Sequence, residues 1–198
     1  LAIHAPIAGL TLIPVLLRWP LVLLPVHIVF LEMIIDPACS IVFEMEPEEK
    51  GIMKRRPRAP NAPLLSKGIF LLSLLQGIFV LVASLVVFAV AQWRGLAENE
   101  ARTLTFAGLI VANIALILTN RSWSRTILES FAVRNPAVWW VAGAAIAFLA
   151  LVIHTPGLQN IFHFAPLHVG EIGIAVAAGV GAIIWFEAFK LLRRRRRA

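Results

Sequence analysis

From Gly68 to Trp93 the chain carries no Asp, Glu, Lys or Arg, a run longer than the ~20 apolar residues needed to cross the hydrocarbon core of a bilayer. Thr103–Asn120 is a second uncharged run. Asn135–Gly170 is a third, too long for one helix and broken at Thr155-Pro156-Gly157. Upstream, Leu1–Leu17 is apolar as far as Arg18-Trp19-Pro20, and Leu21–Phe43 is apolar except for Glu32 and Asp36. In lipid every backbone polar group must be satisfied within the protein, which makes each such run a helix. The expected fold is all-α: a polytopic integral membrane bundle forming a single transmembrane domain over 1–198. Its six helices fall at about 1–17, 21–43, 67–91, 103–120, 136–154 and 167–189, with the first cut short and a cytoplasmic loop at 44–66.

Composition excludes the main alternatives. With 60% hydrophobic and 15% charged residues, a water-soluble globule of this size would expose large apolar patches. One cysteine, Cys39, leaves no intramolecular disulfide to build. The net charge of +7 follows topology rather than nucleic-acid binding, for which neither a basic folded domain nor aromatic interleaving is present. Glu44–Lys67, Arg121–Arg134 and the tail from Lys190 hold all the basic residues except Arg18, Arg94 and Arg102. Alternation along six spans puts the rich set on one side and the poor set on the other. By the positive-inside bias the rich side, including the C-terminus, is cytoplasmic. Arg193–Arg197 is expected to anchor the last helix against anionic lipid. The chain starts at Leu1, inside its first span and without a signal-peptide pattern, as a C-terminal piece of a longer protein would. Gly108/Ala112, Gly143/Ala147 and Ala177/Gly181 have the small-xxx-small spacing of close helix crossings.

Glu32 and Asp36 lie four residues apart, on one face of the second span. A charge at the bilayer centre costs about 2.5–3.5 kcal/mol on insertion scales, so an intramembrane carboxylate pair points to an ion or proton site. Pro37 lacks the N–H that would bond the carbonyl of Met33, which frees an oxygen beside the pair. Carboxylates and carbonyls are hard ligands suited to Ca²⁺, Mg²⁺ or Mn²⁺. His4, two residues before Pro6, is a further candidate ligand or proton carrier. Cys39 stands three residues past Asp36, as a small hydrophobe or a soft ligand. Gln76 and Asn113 are expected to hydrogen-bond between helices, and Glu171 and Glu187 to mark the ends of the last span. His154, His163 and His168 flank an outer loop at 155–168 with no metal-site spacing. Glu44, Glu46, Glu48 and Glu49 precede the basic run Lys50–Arg58 in what reads as a solvated loop or a docking strip.

The run Leu24-Pro25-Val26-His27-Ile28-Val29-Phe30-Leu31-Glu32-Met33-Ile34-Ile35-Asp36, followed by Phe43-Glu44-Met45-Glu46-Pro47 and Ile52-Met53-Lys54-Arg55-Arg56-Pro57-Arg58, resembles P-type cation-transporting ATPases. It is similar to the sixth transmembrane helix and following loop of the calcium-pump-like class, and six spans ending in the cytoplasm match helices five to ten. The resemblance implies that Asp36 is a cation-binding aspartate and that Glu32 and His4 occupy ligand positions that are asparagine in calcium pumps. Ile7 stands where that class has a ligand glutamate, and Ile35 where it has a threonine. The version found here looks like a bacterial branch, in an inner (plasma) membrane.

The same resemblance implies that the Glu44–Arg58 loop couples the membrane sites to a phosphorylation domain. The chain has no D-K-T-G phosphorylation motif and no nucleotide pocket. Mg-ATP would act only through N-terminal actuator, phosphorylation and nucleotide-binding domains, and this chain would supply the ion path within the lipid bilayer. A stand-alone channel or secondary carrier, or a non-catalytic scaffold subunit, is the alternative that the residues alone leave open.

Overall fold

In the computed structural model, residues 1–48, 52–54, 57, 66–122 and 125–195 are described, the side chains of Cys39 and 193–195 aside. Most of the basic run Lys50–Arg58 and the end of the arginine tail lie outside the described residues. Among the described residues eight α-helices follow one another: α1 (His4–Leu16), α2 (Pro25–Pro37), α3 (Lys67–Trp93), α4 (Glu98–Asn120), α5 (Ile127–Phe131), α6 (Pro136–His154), α7 (Pro156–Phe162) and α8 (Val169–Arg195). A π-helical turn, Ala38–Val42, extends α2. Five of these units are long and apolar enough to cross a membrane, and α1 is a shorter apolar helix. The protein is a multi-pass membrane helix bundle.

Local chemistry sets the helix ends. Ser66 caps α3 by accepting the Ile69 N–H at 3.2 Å. The Glu100 carboxylate accepts the Ala97 N–H at 3.0 Å, and Glu98 and Glu100 favour the positive end of the α4 dipole. This start draws the charged segment before Thr103 into the helix. Pro136 and Pro156 open α6 and α7 at the first position, where a missing N–H costs nothing. The segment 155–168, read from sequence as loop, therefore begins with the short helix α7, which ends on left-handed His163 (φ 49°).

Helix α4 is the central post: 78% of its apolar stretch is buried, against 28–41% in the other four spanning units. It packs on α8, α3 and α6, while α1 packs on α3. The α4–α8 crossing is close because a Cβ on Gly179 would lie 2.7 Å from the Gly108 carbonyl oxygen and 2.8 Å from Val111 Cβ. Gly108 faces Ala175, whereas Gly143 and Gly181 have nothing within 4 Å. Of the expected small-residue faces, Gly108/Ala112 lies at this crossing, but α8 presents Ala175 and Gly179. Positions 177 and 181 lie two residues farther on, some 200° around the helix. The α1–α3 contact has a similar basis: a Cβ on Gly77 would sit 2.8 Å from Ala5 Cβ and 2.9 Å from the Ala2 oxygen.

Candidate ion-binding site

Helix α2 begins where Leu24 turns into Pro25. The His27 Nδ1 accepts the Leu24 N–H at 3.0 Å, so Nε2 carries the proton and donates to the Phe162 oxygen at 2.7 Å. The ring is fully buried and stacks on Phe164 at 4.7 Å, with Phe106 at 5.1 Å. These contacts hold the start of α2 against α4 and α7. Arg102, also buried, locks the same end by donating to the Leu21 oxygen at 3.0 Å, the His163 oxygen at 3.1 Å and the Asn99 side chain at 2.7 Å, with Glu98 as its ion-pair partner.

Below that anchor, Phe30, Leu31, Ile34 and Ile35 turn into the core, and Val29, Met33 and Asp36 turn out of it. Glu32 sits on the border. Its Oε1 lies 3.9 Å from the Nε2 of His4, across the gap between α1 and α2. Both side chains keep substantial exposure, 60% for His4 and 39% for Glu32. Asp36 follows one turn later, exposed, and among the described residues its carboxylate has no hydrogen-bond or ion-pair partner. The Ser40 hydroxyl donates instead to the Asp36 backbone oxygen at 2.8 Å.

Pro37 has no N–H, and the Ala38 N–H bonds to the oxygens of Ile34 and Ile35, so the Met33 carbonyl lacks its helical donor. The Met33 side chain points away from the core at 64% exposure. A proline followed by a π turn is a recognised form of helix interruption, and such turns gather at functional sites. The structure thus brings His4 and Glu32 together and sets Asp36 and the Met33 oxygen a turn away. No group of three or more His, Cys, Asp or Glu side chains is assembled among the described residues.

Residues 20–192 match the family described as Cation transporting ATPase, C-terminus. The chain belongs to this family. It is 27% identical over 188 residues to a calcium-transporting ATPase of Bacillus subtilis, covering 93% of this chain and 21% of that protein. It is 26% identical over 196 residues to the calcium-transporting ATPase type 2C member 1 of Homo sapiens, covering 96% of this chain and 21% of that protein. The chain spans about a fifth of the length of the curated relatives it matches. The resemblance read from Leu24–Arg58 is therefore correct at the level of the family: this is the C-terminal membrane domain of a calcium-pump-like P-type ATPase.

Several polar residues of this membrane domain escaped the reading of its sequence. Glu46, read from sequence as part of a solvated loop or a docking strip, is half-buried, with only 9% of its side chain exposed. Arg121 Nε donates to its Oε2 at 2.7 Å, Arg125 Nη2 to its Oε1 at 3.2 Å, and Asn135 Nδ2 to Oε2 at 2.9 Å. Glu187 is likewise not a simple interfacial marker. It accepts the Ile127 N–H at 2.9 Å and pairs with Lys190 at 3.1 Å and with the Thr119 hydroxyl. The Glu46-Pro47 dipeptide in the family-like motif was the one available signal, but its partners lie more than 70 residues away. Gln76 pairs with Asn120 at 3.4 Å, as an interhelical bonder should. Asn113 does not: among the described residues, both polar atoms of its buried amide lack a partner.

Proposed function

We propose that this chain is the ion-translocating part of an ATP-driven pump, in which Glu32 and Asp36 hold the transported cation, assisted by His4 and the Met33 carbonyl. The observation that carries this reading is the 3.9 Å approach of His4 to Glu32 across two helices, one turn from the uncommitted carboxylate of Asp36. These groups stand near the middle of the Pro25–Val42 span, where an unsatisfied charge is expensive. They also lie on an exposed face of the bundle, and a covering element from the rest of the pump would seclude them from lipid. A hard, partly anionic donor set suits a divalent cation. Calcium, named in both relatives, is the cargo this reading takes, with Mg²⁺ and Mn²⁺ as alternatives.

On this reading the carboxylates alternate between cation-bound and protonated states. Actuator, phosphorylation and nucleotide-binding domains at the cytoplasmic end supply the energy of Mg-ATP. The lysine and arginine bias supports a cytoplasmic position for that end and the C-terminus, and on this reading the membrane is a bacterial inner (plasma) membrane. The test is cation-stimulated ATPase activity and ⁴⁵Ca²⁺ or ⁵⁴Mn²⁺ uptake by the full-length pump in inside-out vesicles. Glu32→Gln with Asp36→Asn should abolish both, and undiminished uptake in that double variant would sink the proposal.

A further inference from the structure

The cytoplasmic-end cluster around Glu46 carries an inference about the ion site itself. Helix α2 passes Asp36, turns at Pro37 through the π-helical segment Ala38–Val42, and ends just before Glu46. That end is pinned from two directions. Asn135 Nδ2, at the start of α6, donates both to the Val42 oxygen and to Glu46 Oε2, each at 2.9 Å. Arg121, which closes α4, reaches Glu46 with Nε at 2.7 Å and Nη2 at 3.4 Å. The same guanidinium donates to the oxygens of Ser130 at 3.3 Å and Val133 at 3.2 Å. Arg125 adds its 3.2 Å contact, and its own carbonyl accepts from Lys190 of α8 at 3.2 Å. One carboxylate thus joins the helix bearing the candidate ligands to α4, α5 and α6, and through Arg125 to α8.

We propose that Glu46 is a positioning residue for cation binding: its contacts with Arg121, Arg125 and Asn135 hold the inner end of α2 in place and thereby set where Asp36 and the Met33 carbonyl stand. The interruption at Pro37 is what makes the anchor necessary. A helix that loses a backbone bond to proline and then widens into a π turn bends at that point, so packing above the joint does not by itself fix the segment below it. With 38–46 clamped to the bundle, the joint has one resting geometry. Released, the segment samples many, and ligand positions held to about 0.5 Å are what an ion site requires.

This inference rests on the proposed cation site, and the experiment separates the two. In the full-length pump, reconstituted in vesicles, ATPase activity is measured against cation concentration and, separately, against ATP concentration. The variants are Glu46→Ala, Asn135→Ala, Arg121→Lys and Asp36→Asn. Glu46→Ala and Asn135→Ala should raise the half-saturating cation concentration at least about tenfold, while the KM for ATP stays within about twofold. Arg121→Lys, which keeps the charge but loses the fork, should fall between them and the parent. A purely structural role would lower the amount of active pump and its maximal rate without moving the half-saturating concentration. Should Glu46→Ala fail to fold, Asn135→Ala, which leaves both arginines paired, decides the matter. A folded Asn135→Ala pump with the parent's cation dependence overturns the positioning role alone. An Asp36→Asn pump with the parent's cation-stimulated turnover overturns the cation site, and the positioning role with it.

Discussion

Asp36 and Glu46 stand ten residues apart on one stretch of chain, and the protein treats their carboxylates in opposite ways. The Glu46 side chain is largely covered and its carboxylate is saturated by two guanidiniums and an amide. Asp36 is exposed and has no side-chain partner among the described residues, and its neighbour Glu32 has only a 3.9 Å approach to His4. A carboxylate whose lone pairs are filled by arginine has nothing left to offer a cation, whereas an open one does. The contrast separates a carboxylate that holds the architecture from a pair free to exchange ligands, and it does so by coordination rather than by residue type.

The largest effect should come from breaking the saturated side. Arg121→Ala leaves the largely covered Glu46 carboxylate beside only Arg125 and Asn135, and removing one partner of a pair held away from water costs about 3–5 kcal/mol. In a protein of this size that lowers Tm by roughly 6–20 °C, as a thermal melt in detergent would record. Asp36→Asn should shift Tm by less than about 2 °C, because it removes no contact. Its effect falls on function instead. On the proposed role of Asp36 as a cation ligand, losing one charge-assisted contact, worth roughly 1.5–3 kcal/mol, should reduce cation-stimulated turnover of the intact pump at subsaturating cation by about 10- to 100-fold. Equal losses of stability in the two variants would erase the comparison.

Two smaller changes sharpen it by testing the scaffold between the carboxylates. Gly179→Val forces a side chain against the Gly108 oxygen and Val111, and overpacking of this kind costs about 1–3 kcal/mol. Gly181→Ala, two residues away in open space, should be neutral or stabilising by up to about 1 kcal/mol. A melt of the two variants side by side checks both. The smallest effect is expected at Asn113, whose buried amide has no partner to lose among the described residues. Asn113→Leu should leave Tm unchanged or slightly raised, and a simultaneous loss of cation affinity would instead place Asn113 among the site's ligands.

Much of the fold was legible because it depends on sums over short windows. The uncharged run Gly68–Trp93 announces α3, and the break at Thr155-Pro156-Gly157 announces the separation of α6 from α8. The helix starts were less legible. Helix α4 reaches back to Glu98 through charged residues, because Glu100 closes a cap that hydropathy does not register. Glu32, Asp36 and the Pro37 interruption stood out from sequence as costly features in an apolar span. Their geometry did not: the partner of Glu32 comes from a different helix, and no spacing rule predicts that α1 brings His4 to it.

The sequence by itself determined that this chain is a bundle of apolar helices and that two carboxylates lie within an apolar helix, where lipid would penalise them. Each of these follows from hydropathy or charge read locally along one dimension. Only the tertiary structure decided which acids are spent on architecture. Glu46 finds Arg121 75 positions away, Glu187 finds Thr119 68 away, and His27 reaches Phe162 across 135. Such pairings arise when helices pack, because a buried polar group takes whatever partner the neighbouring helix delivers, and nothing in the local sequence encodes which helix that will be.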